Sequence, residues 1–302
     1  MSWKTILISK SDKISLKNGQ LLVTTQEKQL SFAIEDINCV MLENNYTLIT
    51  TQILSRLVAN DVFIIVCDDK HNPSGIVLSL NQHWRPLEIF ERQMQMTQDF
   101  KDHLRMLIIK QKISNYIVVL EQCNGSEKSL NTLKAFFNTV QMGDATNREG
   151  LASKVFFREI YGSAFIRHED DGINNALNYG YKIIASAITR SLNKYGLNSY
   201  LGIFHRGKTN PFNLSYDFIE PFRPLIDWWV YMNNEMLVEK LSYNQRLELI
   251  NVLNYEISLD NKLMTITTAI NFMIKSFVTC LKLEMPTKLL LPTLLQQYWE
   301  NE

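Results

Sequence analysis

The chain has 302 residues, 46% of them hydrophobic, which is enough to bury a sizeable core and to divide into two domains, since single cores stop growing near this length. Basic and acidic residues balance at 31 each, so there is no overall positive charge to draw the protein to nucleic acid, and any such binding has to come from a local patch. The four cysteines (Cys39, Cys67, Cys123, Cys280) lie far apart with neither zinc-finger nor Cys-x-x-Cys spacing, which points to reduced, mostly buried thiols.

The first ten residues carry no long apolar stretch and no small-residue cleavage site, so a secretory signal is not expected. Apolar runs such as Val62–Cys67 fall short of the roughly 18 residues of a membrane-spanning helix. A cytoplasmic protein with no membrane partner is the expectation. Short alternating or β-branched runs predict strands at Trp3–Ile8, Lys13–Leu16, Gln20–Thr24, Leu30–Ile34, Cys39–Leu42, Val62–Cys67 and Gly75–Leu80. Asn18-Gly19 between the second and third predicts a two-residue hairpin turn, because both central positions of a type I′ turn need positive φ. One helix interrupts the strands at Thr51–Asn60, with Thr50 or Thr51 as N-cap and Ile53, Leu54, Leu57 and Val58 on its apolar face.

Prolines at 73 and 86 break the pattern, and a linker is expected at about residues 76–87. Beyond it the spacing is helical: Leu87–Cys123 with a break, Ser126–Gln141, Thr146–Tyr161, Ile173–Tyr195, Leu214–Asn234, Tyr243–Leu253, Leu259–Leu283 and Thr293–Trp299. The predicted fold is a multidomain α+β protein. Residues 1–80 form a β-rich domain with one helix, a candidate for dimerisation, and residues 81–302 form an all-α catalytic domain.

The segment from His205 to Pro224 gathers one imidazole, two carboxylates (Asp217, Glu220) and three cations (Arg206, Lys208, Arg223) around prolines and a glycine. Glu149, in the phrase Asn147-Arg-Glu-Gly, could complete a set of one histidine and several carboxylates suited to a hard divalent cation. Taken alone, Glu149 reads more readily as a solvated first-turn glutamate of a helix capped by Asp144 than as a ligand. His205 stands where the mostly apolar run Tyr200–Phe204 meets a polar turn, whereas the other histidines read as ordinary core or surface residues. Asp217 and Glu220, three apart, would share one helix face and could point at one cation. Between Gly180 and Pro224 six basic residues (Lys182, Arg190, Lys194, Arg206, Lys208, Arg223) surround those two acids. Carboxylates in a basic field suit a metal acting on a phosphodiester, the lesser alternative being a solvated, ion-paired face. Tyr216 could stack on a base or stay in the core.

The phrases Asn147-Arg-Glu149-Gly, Gly202-Ile-Phe-His205 and Tyr216-Asp-Phe-Ile-Glu220-Pro-Phe-Arg-Pro224 resemble, in order, the three motifs of the CRISPR-associated integrase family, the catalytic subunit of spacer acquisition. The length, the β-then-α layout and the Trp3-Lys-Thr opening resemble the type II form. The resemblance implies Glu149, His205 and Glu220 as catalytic ligands of Mg²⁺ or Mn²⁺, with Glu220 where many relatives carry aspartate. Asp217 and Arg223 would support them, and Arg206, Lys208, Arg223 and Tyr216 would contact DNA. It implies a metal-dependent DNA endonuclease and integrase that joins 3′-hydroxyl ends of a short double-stranded fragment to a CRISPR repeat by transesterification, in antiviral defence. It also implies a homodimer, and a heterocomplex with a small companion adaptation protein. Two other readings fit the same residues: a nuclease acting on branched DNA in repair, and a non-catalytic DNA-binding scaffold.

Overall fold

The computed structural model describes residues 4–10, 13–25, 28–79, 85–238 and 240–295. The chain divides into two compact units, residues 1–82 and 83–302.

The first unit holds two sheets. Strands β1 (Lys4–Ile8), β5 (Ile37–Leu42), β6 (Phe63–Cys67) and β7 (Pro73–Val77) form one, in the order β1-β5-β6-β7, parallel across the first three and antiparallel at β7. Strands β2 (Lys13–Lys17), β3 (Gln20–Thr24) and β4 (Gln29–Ala33) form an antiparallel second sheet. Asn18 and Gly19 take φ of 50° and 75°, the positive values the hairpin requires. The helix α1 (Thr51–Ala59) makes the crossover between parallel β5 and β6; the Thr50 side chain accepts the Ile53 amide, and Ile53 and Leu57 are buried. The core joins both sheets to α1 through Ile8, Ile14, Leu21, Ile37, Val40, Leu57 and Ile64. Ile76 and Val77, where the last expected strand and the expected linker overlap, belong to strand β7, while Pro86 and Leu87 open a helix in which proline fills the first turn, where its missing N–H costs nothing. Trp3, Leu80 and His83 lie outside the described residues.

The second unit is mostly helical: α2 (Pro86–Met94), α3 (Gln98–Gln122), α4 (Glu127–Thr139), α5 (Arg148–Tyr161), α6 (Gly172–Lys194), α7 (Asn213–Ile219), α8 (Arg223–Met232), α9 (Tyr243–Asn251) and α10 (Ile266–Leu283). The expected break in the first long helix falls at residues 95–97, where Thr97 caps α3 by accepting the Phe100 amide. The stretch expected to be one helix from Leu214 is two, α7 and α8, joined by a short 3₁₀ turn, Glu220–Phe222, around Pro221. The all-α expectation needs one correction. A hairpin, β8 (Glu256–Leu259) and β9 (Lys262–Thr265), occupies the region before α10, where Leu259 was expected to start a helix. Asp260 and Asn261 take φ of 52° and 59°, so the turn is made without glycine and gave no strong signal. Thr293, expected in a helix, is instead bridged to Ser258 by backbone hydrogen bonds, and residues 296–302 lie outside the described residues.

Helix α3 is the axis of this unit. Leu104, Ile108, Ile109, Ile113, Tyr116, Val119 and Leu120 are buried along it, and it packs against α4, α5, α7, α8 and the Glu220–Phe222 turn. Among the described residues α10 alone has the length and apolarity of a membrane span, and its buried residues, such as Ile270, Met273 and Phe277, serve the core through contacts with α6 and the hairpin. Cys39, Cys67 and Cys280 are buried, and Cys123 is half-buried.

Candidate active site

His205 is presented by an irregular loop between α6 and α7, and that loop is tied down from three sides. Gln93 on α2 donates to the carbonyls of Asn198 (2.8 Å) and Leu201 (2.9 Å) and accepts the Asn198 amide (2.9 Å). Asn213 at the start of α7 donates to the carbonyls of Tyr200 (3.1 Å) and Gly207 (2.9 Å). Asp217, fully buried on α7, accepts the amides of Ile203, Phe204 (3.4 Å) and His205 (2.9 Å). The same carboxylate lies 2.7 Å from His205 Nδ1. A carboxylate at Nδ1 makes that nitrogen the donor and leaves the lone pair on Nε2, the arrangement of a metal-ligating or proton-accepting imidazole. Burial raises the Asp217 carboxyl above its usual range, against the hydrogen bonds from His205 and Ile203. Gly202 permits the fold of the loop: a Cβ there would collide with the His205 carbonyl and lie 2.9 Å from Asp217 Oδ2.

Glu149 and Glu220 come together across α3. Glu149 sits in the first turn of α5, whose N-cap, Asn147, adopts a left-handed conformation and makes no side-chain cap. Asp144, expected as the cap, acts from just outside the helix, accepting the amides of Arg148 (2.7 Å) and Glu149 (3.2 Å). The turn bearing Glu220 is held by Asn115 of α3, whose side-chain amide donates to the Pro221 carbonyl at 2.7 Å. Between the two glutamates stands Lys112 of α3, 3% exposed, with its ammonium 2.7 Å from Glu149 Oε1 and 2.6 Å from Glu220 Oε2. Arg223 donates to Glu220 Oε1 at 2.9 Å and lies over the Tyr181 ring at 4.4 Å. Burial opposes ionisation of Glu220, but Arg223 and Lys112 outweigh it and hold the carboxyl down at about 2. Burial likewise opposes the charge on Lys112, and Glu220, first among its neighbours, more than offsets this and raises the ammonium above its ordinary range.

Two expectations change with these positions. Asp217 and Glu220 do not share a target: Asp217 serves the His205 loop, whereas Glu220 faces Lys112 and Arg223, because the helix ends between them at Ile219. Arg223 is engaged by Glu220 and Tyr181, so the exposed cations of the segment are Arg206 and Lys208. Tyr216 is half-buried and meets the His205 ring edge-on at 6.2 Å. Lys112, Asn115 and Gln93 had not been singled out from the sequence. Their signal is a polar residue at an apolar-face position: Lys112 follows Ile108 and Ile109 at helical spacing and precedes Tyr116, all buried. Lys101 and Arg105 were also missed. With Arg206, Asp102, Gln98 and Phe204 they line a cleft of about 340 Å³ beside His205, in which Arg105 lies over the Phe204 ring at 5.2 Å.

The donor set suits a divalent cation in part. Two carboxylates already converge on a single positive charge, and Glu220 Oε2 is buried without a well-directed hydrogen bond despite the nearby ammonium. Among the described residues no three His, Cys, Asp or Glu side chains are gathered closely enough to form a ready ligand cluster. The glutamate pair therefore fits a cation, with His205 and its free Nε2 to one side.

Residues 6–258 match the sequence family described as CRISPR associated protein Cas1. The CRISPR-associated endonuclease Cas1 of Neisseria meningitidis serogroup C is 35% identical over 279 residues, covering 92% of this chain and 91% of the relative. Among solved structures, a chain of a Cas6-RT-Cas1–Cas2 complex superposes with a TM-score of 0.72 over 98% of this chain at 17% identity, and this chain spans 36% of its length. A casposase bound to integration product superposes with a TM-score of 0.67 at 18% identity, over 93% of this chain and 91% of that one. The two structural likenesses speak for the fold, whereas the long family match and the relative sharing a third of its residues speak for descent: the chain belongs to the CRISPR associated protein Cas1 family.

Proposed function

We propose that this protein is a metal-dependent DNA integrase and endonuclease that inserts short double-stranded fragments into a CRISPR array. The observation that carries the reading is the convergence of Glu149 and Glu220 on one cation position beside an Asp217-held histidine, in a chain of the Cas1 family. A relative named as an endonuclease and a fold neighbour bound to an integration product support cutting and joining DNA. In the step proposed, the 3′-hydroxyl oxygen of the fragment bonds to a repeat phosphorus as the bond from that phosphorus to the repeat's own 3′-oxygen breaks. The hydroxyl proton leaves to solvent and the departing oxygen takes one up. One phosphodiester is lost and one gained, so no external energy source is needed.

Glu149, Glu220 and Nε2 of His205 would hold Mg²⁺ or Mn²⁺, which when bound supplies the positive charge that polarises the scissile phosphate. Asp217 fixes the tautomer and direction of His205, and Arg223 fixes Glu220. Arg206 and Lys208, with Lys101 and Arg105 at the cleft, position flanking phosphates without reading bases, which suits fragments of arbitrary sequence. Tyr216, edge-on to the histidine ring, would contact the DNA there. Assembly with a small companion protein is supported by the neighbour solved as a Cas6-RT-Cas1–Cas2 complex, and the homodimer is part of the same proposal.

The test is a strand-transfer assay with a labelled fragment and a repeat-bearing plasmid. Joined product, lost in Glu149→Ala, His205→Ala and Glu220→Ala, supports integration. Cleavage without joining would favour the branched-DNA repair nuclease, and activity retained in all three variants would remove the catalytic assignment.

A further inference from the structure

A lysine that is 3% exposed has few reasons to be on the apolar face of a helix. Lys112 is surrounded along α3 by buried Ile108, Ile109, Ile113 and Tyr116, and the structure places its ammonium within 2.7 Å of two carboxylates, Glu149 and Glu220. With Arg223 on the other oxygen of Glu220, the four groups form a quartet of two negative and two positive charges. It is neutral as it stands. Like the lysine, Glu220 is 3% exposed, so solvent does little to screen any charge added there.

The oxygens that Lys112 uses are those a divalent cation shared by Glu149 and Glu220 would need. An ion entering beside an undisturbed Lys112 would leave the quartet with an excess of two positive charges in a poorly solvated place, and such an excess is costly. Two things relieve it: withdrawal of the ammonium from one or both carboxylates, or arrival of a negative group. A phosphodiester is such a group, and Lys101, Arg105 and Arg206 line a cleft beside His205 that could hold its neighbouring phosphates.

We propose that Lys112 is the resident counter-cation of this site, holding Glu149 and Glu220 together in the metal-free protein and competing with the divalent ion for them. Metal is then held weakly until a phosphodiester brings its charge to the site, so that the ion and DNA load together. The inference rests on the metal-dependent reading above and adds a device that suppresses metal occupancy in the absence of DNA. Lys112 is a positioning residue on this account.

The test is a titration of the full-length protein with Mn²⁺, with and without a DNA duplex, following the spectroscopic signal of free aqueous Mn²⁺. The wild type is expected to bind Mn²⁺ at least about tenfold more tightly with the duplex than without it. Lys112→Met is expected to bind Mn²⁺ at least about tenfold more tightly than the wild type without DNA, and to gain less from the duplex. In chelator the variant should melt at a lower temperature than the wild type, and Mn²⁺ should raise its melting temperature by more. Lys112→Arg, which keeps the charge, should bind Mn²⁺ as the wild type does. Equal or weaker Mn²⁺ binding by Lys112→Met overturns the competition while leaving the metal reading in place. Uptake of Mn²⁺ by neither protein, with or without DNA, sinks both. Should Lys112→Met fail to fold, wild-type protein labelled with ¹³Cε-lysine gives the answer: the buried lysine resonance moves on Mg²⁺ addition, and a resonance unmoved at saturating Mg²⁺ overturns the proposal.

Discussion

Asp217 is the residue on which the candidate site most depends, because one buried carboxylate fixes both a loop and the ring it presents. Asp217→Asn replaces one acceptor oxygen by a donor that meets backbone amides, and is expected to cost about 2–3 kcal/mol, read by chemical denaturation, together with most of the strand transfer. Gly202→Ala should act on the same loop through sterics alone. Its Cβ overlaps the His205 carbonyl, so a loss of about 1–3 kcal/mol and a misplaced His205 are expected, checked by a melt and the transfer assay. Asp227 of α8 offers a different reading. It accepts a hydrogen bond from Tyr181, while its Oδ2 is buried without a partner. Burial pushes its carboxyl up to about 7, against the bond from Tyr181 and the charges of Lys112 and Arg223. Folding therefore favours the protonated form, and stability is lost as pH rises from about 4, the unfolded range, through about 7. Asp227→Asn cannot ionise, so it should flatten that slope and exceed wild-type stability by at least about 1 kcal/mol at about pH 8, with melts at about pH 5 and about pH 8 deciding the matter. The sequence marked Asp217 as an acid three residues from Glu220, but its job was invisible there, since its partners lie 12 to 14 residues back in an irregular loop.

At the level of elements, α3 and the two helix starts around it explain how distant motifs meet. Lys112 lies 37 residues from Glu149 and 108 from Glu220, and it touches both because α3 packs against α5 and against the turn after α7. The start of α5 is held from outside by Asp144, whose carboxylate is buried and takes two otherwise unpaired amides. Asp144→Ala is expected to cost about 1–2 kcal/mol by denaturant unfolding and to loosen Glu149, lowering transfer more than the stability loss alone would. The element pattern was largely readable from periodicity. The hairpin Glu256–Thr265 was not, because Asp260 and Asn261 supply by positive φ what glycine usually announces. The division of the helix at Glu220–Pro221 was half readable: proline signalled a disturbance, and packing decided that the chain would make a 3₁₀ turn there and continue as α8.

For the whole molecule, net charge is zero, so the proposed affinity for DNA has to rest on local cations such as Lys101, Arg105, Arg206 and Lys208. Binding to a duplex is expected to weaken steeply with salt, with a slope that falls by about one for each of these cations replaced by glutamine, in fluorescence anisotropy. Chelation should abolish strand transfer and weaken duplex binding by the same factor, about tenfold, by which the duplex tightens the ion, while the salt-dependent basic contacts persist without it. In the first unit, β4 stands at the edge of its sheet with Leu30 exposed, which makes it a candidate surface for the proposed homodimer. Leu30→Lys is expected to halve the mass measured by light scattering, and an unchanged mass would place the interface elsewhere.

The sequence by itself determined the two-part layout, the first hairpin and most helices, because turn chemistry and apolar period are local properties of the chain. It also brought Glu149, His205 and Glu220 to notice through short motifs. Only the tertiary structure decided how those residues are used: that Lys112 joins the two glutamates, that Asp217 belongs to the histidine, and that Arg223 is turned to Glu220. Charges buried together must find partners among whatever side chains packing brings near, and that choice is made across tens of residues, where no local pattern records it.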